Sequence, residues 1–226
     1  MKLKNQMIIG SLLLANVLGI FHCSFLNNQF ILDVPLICQY PLLPTGCESV
    51  GATMLLQYYG IDIDEITFAS YWLKKSSDFY EIDGIDYGPN PYKVFAGDPF
   101  SKYSYGCFSP VIQDAINHNQ NQYVAIIIQD KTLEELCREY IDNNHPVLIW
   151  ATMRMSKSKE GNSWYLNYGD LFKWTSGEHC LVLVGYDDYH YYLNDPETGT
   201  VVKYKKELVQ RRFEELNSQS IVLEHQ

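Results

Sequence analysis

The clearest apolar rhythm in the chain follows Thr45, where Val50, Met54, Leu55 and Tyr58 recur at helical spacing and Gly51 and Ala52 leave room for close packing. Thr45-Gly46-Cys47-Glu48 has the Thr-x-x-Glu spacing of a capping box. It predicts Thr45 as the cap, Glu48 reaching back, and a helix to about Tyr59 that stops at Gly60. A second helix is expected from Asp64 to Lys75. A third opens at Ser109-Pro110, with proline at the first helical position. Thr132-Leu133-Glu134-Glu135 is another capping box, starting a helix to about Asn143. Short β-branched runs at 123–128 and 146–152 read as buried strands. Residues 180–186 and 189–193 read as a hairpin turning at Asp187-Asp188, and further strands at 201–204 and 220–223 surround a last helix near 206–216. Residues 33–40 suggest a short strand before a loop carrying Pro41 and Pro44. Two stretches, 76–108 and 153–178, read as long loops, the first rich in Gly, Pro, Asp and Tyr, the second polar with Trp164 and Trp174. Helices early and strands late predict an α+β fold, a helical half followed by an antiparallel sheet half.

The N-terminus has a different character. Lys2 and Lys4 precede an apolar run from Met7 to Phe21, the charged and apolar regions of an export signal. A membrane span needs about 20 residues, so this run is short for one, although an uncleaved anchor fits the same pattern. The expected organisation is a signal peptide or anchor over 1–24, a connector over 25–32 and a single domain over 33–226, at work outside the cytoplasm.

Charge narrows the partners. The formal net charge is −10, and no Lys/Arg cluster exceeds a pair such as Arg211-Arg212. Such a surface repels phosphate backbones, so nucleic acid is not an expected partner. The six cysteines, at 23, 38, 47, 107, 137 and 180, include no Cys-x-x-Cys pair, and neither a metal nor a cofactor is expected. Cys38, Cys107, Cys137 and Cys180 allow two disulfides in an oxidising compartment, and free buried thiols explain them equally well.

Four residues carry candidate chemistry. Cys47 falls at the second position of its predicted helix, where unpaired N–H groups and the helix dipole favour a thiolate, the form that attacks. Gln39, eight residues upstream on the entering loop, can join the Cys47 N–H in holding an oxyanion. His179 begins the strand after a Gly177-Glu178 turn, 132 residues beyond Cys47 and inside the range of roughly 130–150 for papain-type Cys-to-His spacing. It can take a thiol proton and return it to a leaving amine. His118, His145, His190 and His225 fall at helix ends, in a turn and in the tail, and are less apt. Asp195, in Asn194-Asp195-Pro196, ends the neighbouring strand, where a carboxylate can fix the imidazole tautomer. Asn194 is its rival, and strand alternation lets only one of the two face the histidine.

These segments together resemble a known group. Leu36-Ile37-Cys38-Gln39-Tyr40, Leu43-Pro44-Thr45-Gly46-Cys47-Glu48, Gly177-Glu178-His179-Cys180-Leu181-Val182-Leu183-Val184-Gly185-Tyr186-Asp187 and Asn194-Asp195-Pro196 look like the C39-like peptidase family. That resemblance implies a papain-like fold over about 33–223. It also implies Gln39 as oxyanion donor, Cys47 as nucleophile, His179 as base, Asp195 as orienter, and a peptide or protein as substrate. Better-known relatives are exporter domains that trim leaders after paired glycines. This sequence carries no transporter region or ATP-binding motif, so that substrate does not carry over. An acyl or peptidyl transferase on the same scaffold, or a surface-binding module with a vestigial triad, are the competing expectations.

Overall fold

The computed structural model describes residues 29–167 and 169–226. The Lys2, Lys4 and Met7–Phe21 pattern therefore lies outside the described residues. Among the described residues, no helix is long and apolar enough to cross a membrane.

The main sheet has seven strands, ordered β12-β11-β10-β7-β13-β6, with β1 added to β10. Its members are β1 (Phe30–Ile31), β6 (Tyr123–Ile128), β7 (Val147–Thr152), β10 (Glu178–Tyr186), β11 (His190–Asp195), β12 (Thr200–Lys205) and β13 (Ser220–His225). All the pairings are antiparallel. Every residue of β7, and all of β10 except Tyr186, is buried. Strands covered on both faces read as continuous apolar runs, which is why these two stood out in the sequence without alternation.

Helix α1 (Cys47–Tyr58) lies against β10 and β7 and is buried continuously from Cys47 to Leu56. Gly51 permits this approach, because a Cβ there would stand 2.7 Å from Leu148 Cδ1 and 3.7 Å from Cys180 Sγ. The helix ends as expected near Gly60, whose φ of 80° suits glycine and whose N–H bonds Gln57. Helix α3 (Ser109–Asn119) carries proline in its first turn and packs on β6, and α5 (Lys206–Glu214) packs on β7. At α4 (Leu133–Glu139) the Thr132–Glu135 capping box is present in both directions.

Several local expectations change. Residues 33–40 join no strand ladder. The edge strand is β1, at Phe30–Ile31, inside the segment expected to be a connector. The helix expected over 64–75 is a single α-turn, α2 (Glu65–Thr67), capped by Asp64 and followed by a π-helical turn at Phe68–Trp72. The two long loops both carry strands. Strands β3 (Tyr80–Ile82) and β4 (Ile85–Tyr87) join β8 (Lys159–Tyr165) and β9 (Leu171–Ser176) in a second sheet ordered β3-β4-β8-β9. Strands β2 (Lys75–Ser76) and β5 (Phe95–Ala96) form a short parallel pair.

An aromatic cluster holds the second sheet. The Trp164 ring lies tilted 5.0 Å from Phe172 and 4.7 Å from Tyr105, and Trp174 lies 5.4 Å from Tyr105 and 5.5 Å from Phe108. Such ring pairs add about 0.5–1.5 kcal/mol each beyond their buried area. The hairpin signal was present as Asp83-Gly84, whose φ angles of 53° and 78° suit a two-residue turn with both central residues left-handed. The partner strands, more than seventy residues downstream by sequence number, could not be foreseen from it.

Candidate active site

Cys47 is the first residue of α1, one place earlier than expected, and Gly46 occupies the cap position without a side-chain bond. Thr45 is no cap. Its hydroxyl instead donates to the Ser101 carbonyl at 2.9 Å, pinning the approach to the helix onto the 98–101 loop. Glu48 does not reach back either. It is fully buried, accepts the Cys107 N–H at 2.6 Å, and its other oxygen accepts the Cys47 thiol at 3.3 Å. The sequence motif was present, but a tertiary acceptor for Thr45 and a tertiary donor for Glu48 displaced the local box.

His179 and Asp195 meet across β10 and β11. Nε2 lies 2.7 Å from Asp195 Oδ1, and both side chains are 1 % exposed. The same carboxyl oxygen accepts the Glu197 N–H at 2.9 Å, and Arg154 holds Glu197 through a 2.6 Å ion pair. Burial pushes the Asp195 carboxyl up, but the bond to His179, the His179 charge, the Glu197 N–H and the Thr198 hydroxyl outweigh it, leaving the group below the usual aspartate value. Asn194 faces away, with its amide donating to the Val34 and Pro35 carbonyls at 3.1 and 3.2 Å. Strand alternation thus assigns Asp195 to the histidine and Asn194 to the N-terminal segment. Nδ1 of His179 is buried without a hydrogen-bond partner.

Gln39 is 3 % exposed and sits beside the same turn, since its N–H bonds the Pro196 carbonyl at 2.9 Å. Its side-chain amide donates to the Pro44 carbonyl at 3.0 Å, which leaves a second amide hydrogen available. The loop preceding α1 and the turn after β11 are therefore locked together.

The sulfur departs from expectation. Among the described residues no hydrogen bond joins Cys47 to His179, and the thiol is held by Glu48. Burial first, then the neighbouring Glu48 and Glu178 carboxyls, push the Cys47 thiol well above its ordinary value. The helix start was expected to lower it, and burial, with the two acids beside it, reverses that sign. Glu178 was overlooked as chemistry because its place beside His179 looked like turn sequence.

These acids form a cradle. Cys47, Glu48 and Glu178 bring a sulfur and two carboxyl groups within 4.8 Å of one another. Gly106 completes it, because a Cβ there would stand 2.4 Å from Glu48 Oε1 and 3.1 Å from Glu178 Oε2. Burial drives both carboxyls toward their protonated forms. His179, Asp195 and Glu197 also converge, with His179 Nε2 bound to Asp195 and Glu197 paired with Arg154. The described cysteines, Cys38, Cys47, Cys107, Cys137 and Cys180, are all free thiols, so the disulfide alternative is not taken up.

Residues 31–221 match the model of the peptidase C39-like family. The chain belongs to the peptidase C39-like family. A C39-like crystal structure from Bacillus anthracis, provisionally called a peptidase, superposes with a TM-score of 0.75 at 29 % identity, covering 88 % of this chain and 99 % of the other. An uncharacterised protein of Bacillus subtilis strain 168, YvpB, is 26 % identical over 198 residues, 85 % of this chain and 75 % of that one. A double-glycine-motif protease from an AMS/PCAT transporter, solved with its leader peptide, shares the fold at 17 % identity and a TM-score of 0.51, covering 88 % of this chain and 97 % of that one.

Proposed function

We propose that this C39-like protein is an exported thiol peptidase in which Cys47, His179 and Asp195 form the triad and Gln39 the oxyanion donor. The observation that carries the reading is the buried His179–Asp195 bond through Nε2, which leaves Nδ1 without a partner. An imidazole oriented by a carboxylate on one nitrogen is equipped to exchange a proton on the other.

The reading requires the Cys47 sulfur to leave Glu48 and meet Nδ1. The thiol proton then passes to Nδ1, and the thiolate attacks the peptide carbonyl carbon. The oxyanion takes the Cys47 N–H, which lacks an intrahelical acceptor in the first turn, and the second amide hydrogen of Gln39. Collapse breaks the C–N bond, and the imidazolium protonates the departing amine. Water, deprotonated by Nδ1, then hydrolyses the thioester and restores the thiol. An open cavity of about 480 Å³ on the second sheet is lined by Phe79, Tyr105 and Trp164, and none of the four proposed catalytic residues lines it.

A peptide-based thiol probe tests this directly. Labelling is expected at Cys47, blocked by prior incubation with substrate peptide, and not at buried Cys107 or Cys137. Equal labelling of all three thiols would support the binding-module reading instead. An added amine acceptor that diverts product from free acid to amide would turn hydrolase into transferase.

Export rests on Lys2, Lys4 and the Met7–Phe21 run. Fractionated cells expressing the full chain are expected to hold it at the surface or in the medium, and recovery from the cytoplasm with Met1 intact would reject export.

A further inference from the structure

The acid cradle has no part in the reaction just described, yet each member adjoins a proposed catalytic residue. Glu48 follows Cys47 and Glu178 precedes His179. The helix start and the strand start bring these two acids to one place, against the face of Gly106 that has no side chain. Glu48 is fully buried and Glu178 is 7 % exposed. No lysine or arginine among the described residues forms an ion pair with either acid, and Glu178 Oε1 has no hydrogen-bond partner. The groups that face them are the Cys47 thiol from α1, the Cys107 N–H and thiol from the segment before α3, and His179 and Cys180 from β10. Two carboxylates cannot both stay ionised in such a place without a cation.

Building on the peptidase reading, we propose that Glu48 and Glu178 are positioning residues that hold one proton between them, limiting the charge beside Cys47 to a single negative unit. Loss of that proton ends activity on the alkaline side.

The physical chain is short. With one acid neutral, the cradle carries one charge, and the Cys47 thiolate can form when the sulfur turns to an imidazolium. With both ionised, a second negative charge lies within 4.8 Å of the sulfur and opposes the thiolate. The acids also repel each other, which drives the start of α1 away from the start of β10, the two elements that carry nucleophile and base. Desolvation raises both carboxyls above the ordinary glutamate range, so the last proton leaves near or above neutrality. Because the two interact, the midpoints belong to the pair.

Glu178→Gln tests the idea because its amide is neutral at every pH while its size is kept. The alkaline midpoint of kcat/KM is expected to rise by roughly one to three pH units in this variant. The acid limb should stay in place, because it belongs to other groups. A merely structural role for Glu178 would change stability or amplitude without moving the alkaline midpoint, and that result overturns the proposal. Glutamate carboxyl carbons of the wild-type protein, followed by NMR, give a readout that needs neither the variant to fold nor a substrate. Two coupled titrations, at least one near neutrality, are expected. Carboxyls that all titrate in the ordinary glutamate range would overturn the pair. If no peptide is cleaved under any condition, the NMR titration and the pH profile of Cys47 alkylation in wild type and Glu178→Gln still decide the cradle, while the peptidase reading alone falls.

Discussion

His179→Ala is expected to lower kcat/KM on a peptide substrate by roughly 10⁴-fold or more while the fold survives. The imidazole carries the proton in both halves of the proposed reaction, and no neighbouring histidine can replace it. The closest in sequence, His190, is engaged by Asp187 at 3.1 Å. The third member should show a graded effect. Asp195 Oδ1 serves both His179 Nε2 and the Glu197 N–H, so an asparagine carbonyl can keep both bonds and lose only the charge. Asp195→Asn is therefore expected to cost about tenfold, the difference between a charge-assisted and a neutral bond. Asp195→Ala also loses the orientation and should approach roughly 10³–10⁴-fold. Asn194→Ala is the control. It leaves the Val34 and Pro35 carbonyls without their donor and should cost about 1–3 kcal/mol of stability with kcat nearly unchanged. Steady-state kinetics with thermal unfolding separate these cases. If Asn194→Ala reduced kcat more than Asp195→Ala, the assignment of the orienter would be wrong.

The second large effect is on stability rather than rate, and its sign follows from Glu48. Burial is the main cause that lifts this carboxyl from the ordinary 4.5 to about 7, although the Cys107 N–H and other bonds pull the other way. The folded chain thus binds this proton more tightly than the unfolded chain does. The resulting contribution is complete below about pH 4.5 and is lost as pH rises through 7. At 1.36 kcal/mol per unit it amounts to on the order of 3 kcal/mol, with Glu178 shifted in the same direction. Asp195 and Asp187 act oppositely, because their folded values lie below the ordinary one. Their support is present at neutral pH and disappears on acidification. The stability maximum is therefore expected at about pH 5, with Tm lower at pH 8 by roughly 6–12 °C for a chain of this size. Glu48→Gln should flatten the alkaline side. Calorimetry at fixed ionic strength checks this, and a wild-type Tm that is equal or higher at pH 8 would remove the buried acids as its cause.

Much of the candidate site was readable from local chemistry. Cys47 near a helix start, Gln39 on the entering loop, and His179 and Asp195 on successive strands all follow from periodicity and turn residues within a few positions of each residue. The central strands were legible because burial on both faces leaves unbroken apolar runs, as in Leu181–Val184. The Thr132–Glu135 box formed because its surroundings are exposed and offer no competing partner.

What the sequence alone determined is therefore the α+β class, the C39-like pattern, and the place of α1, α3, α4 and α5 and of the central strands of the main sheet. Tertiary structure decided whatever depended on partners distant in the chain. Thr45 and Glu48 have the same spacing as Thr132 and Glu135, yet the Ser101 carbonyl and the Cys107 N–H took them, because a buried group takes the partner that best satisfies it. The second sheet needed residues 80–87 and 159–176 to be brought together by rings that no local pattern links. The electrostatics of Cys47 changed sign for the same reason. A helix start favours a thiolate, but the charge that matters most comes from Glu48 beside it and from Glu178, far along the chain. Only the packing of α1 on β10 removes the water that would have screened them.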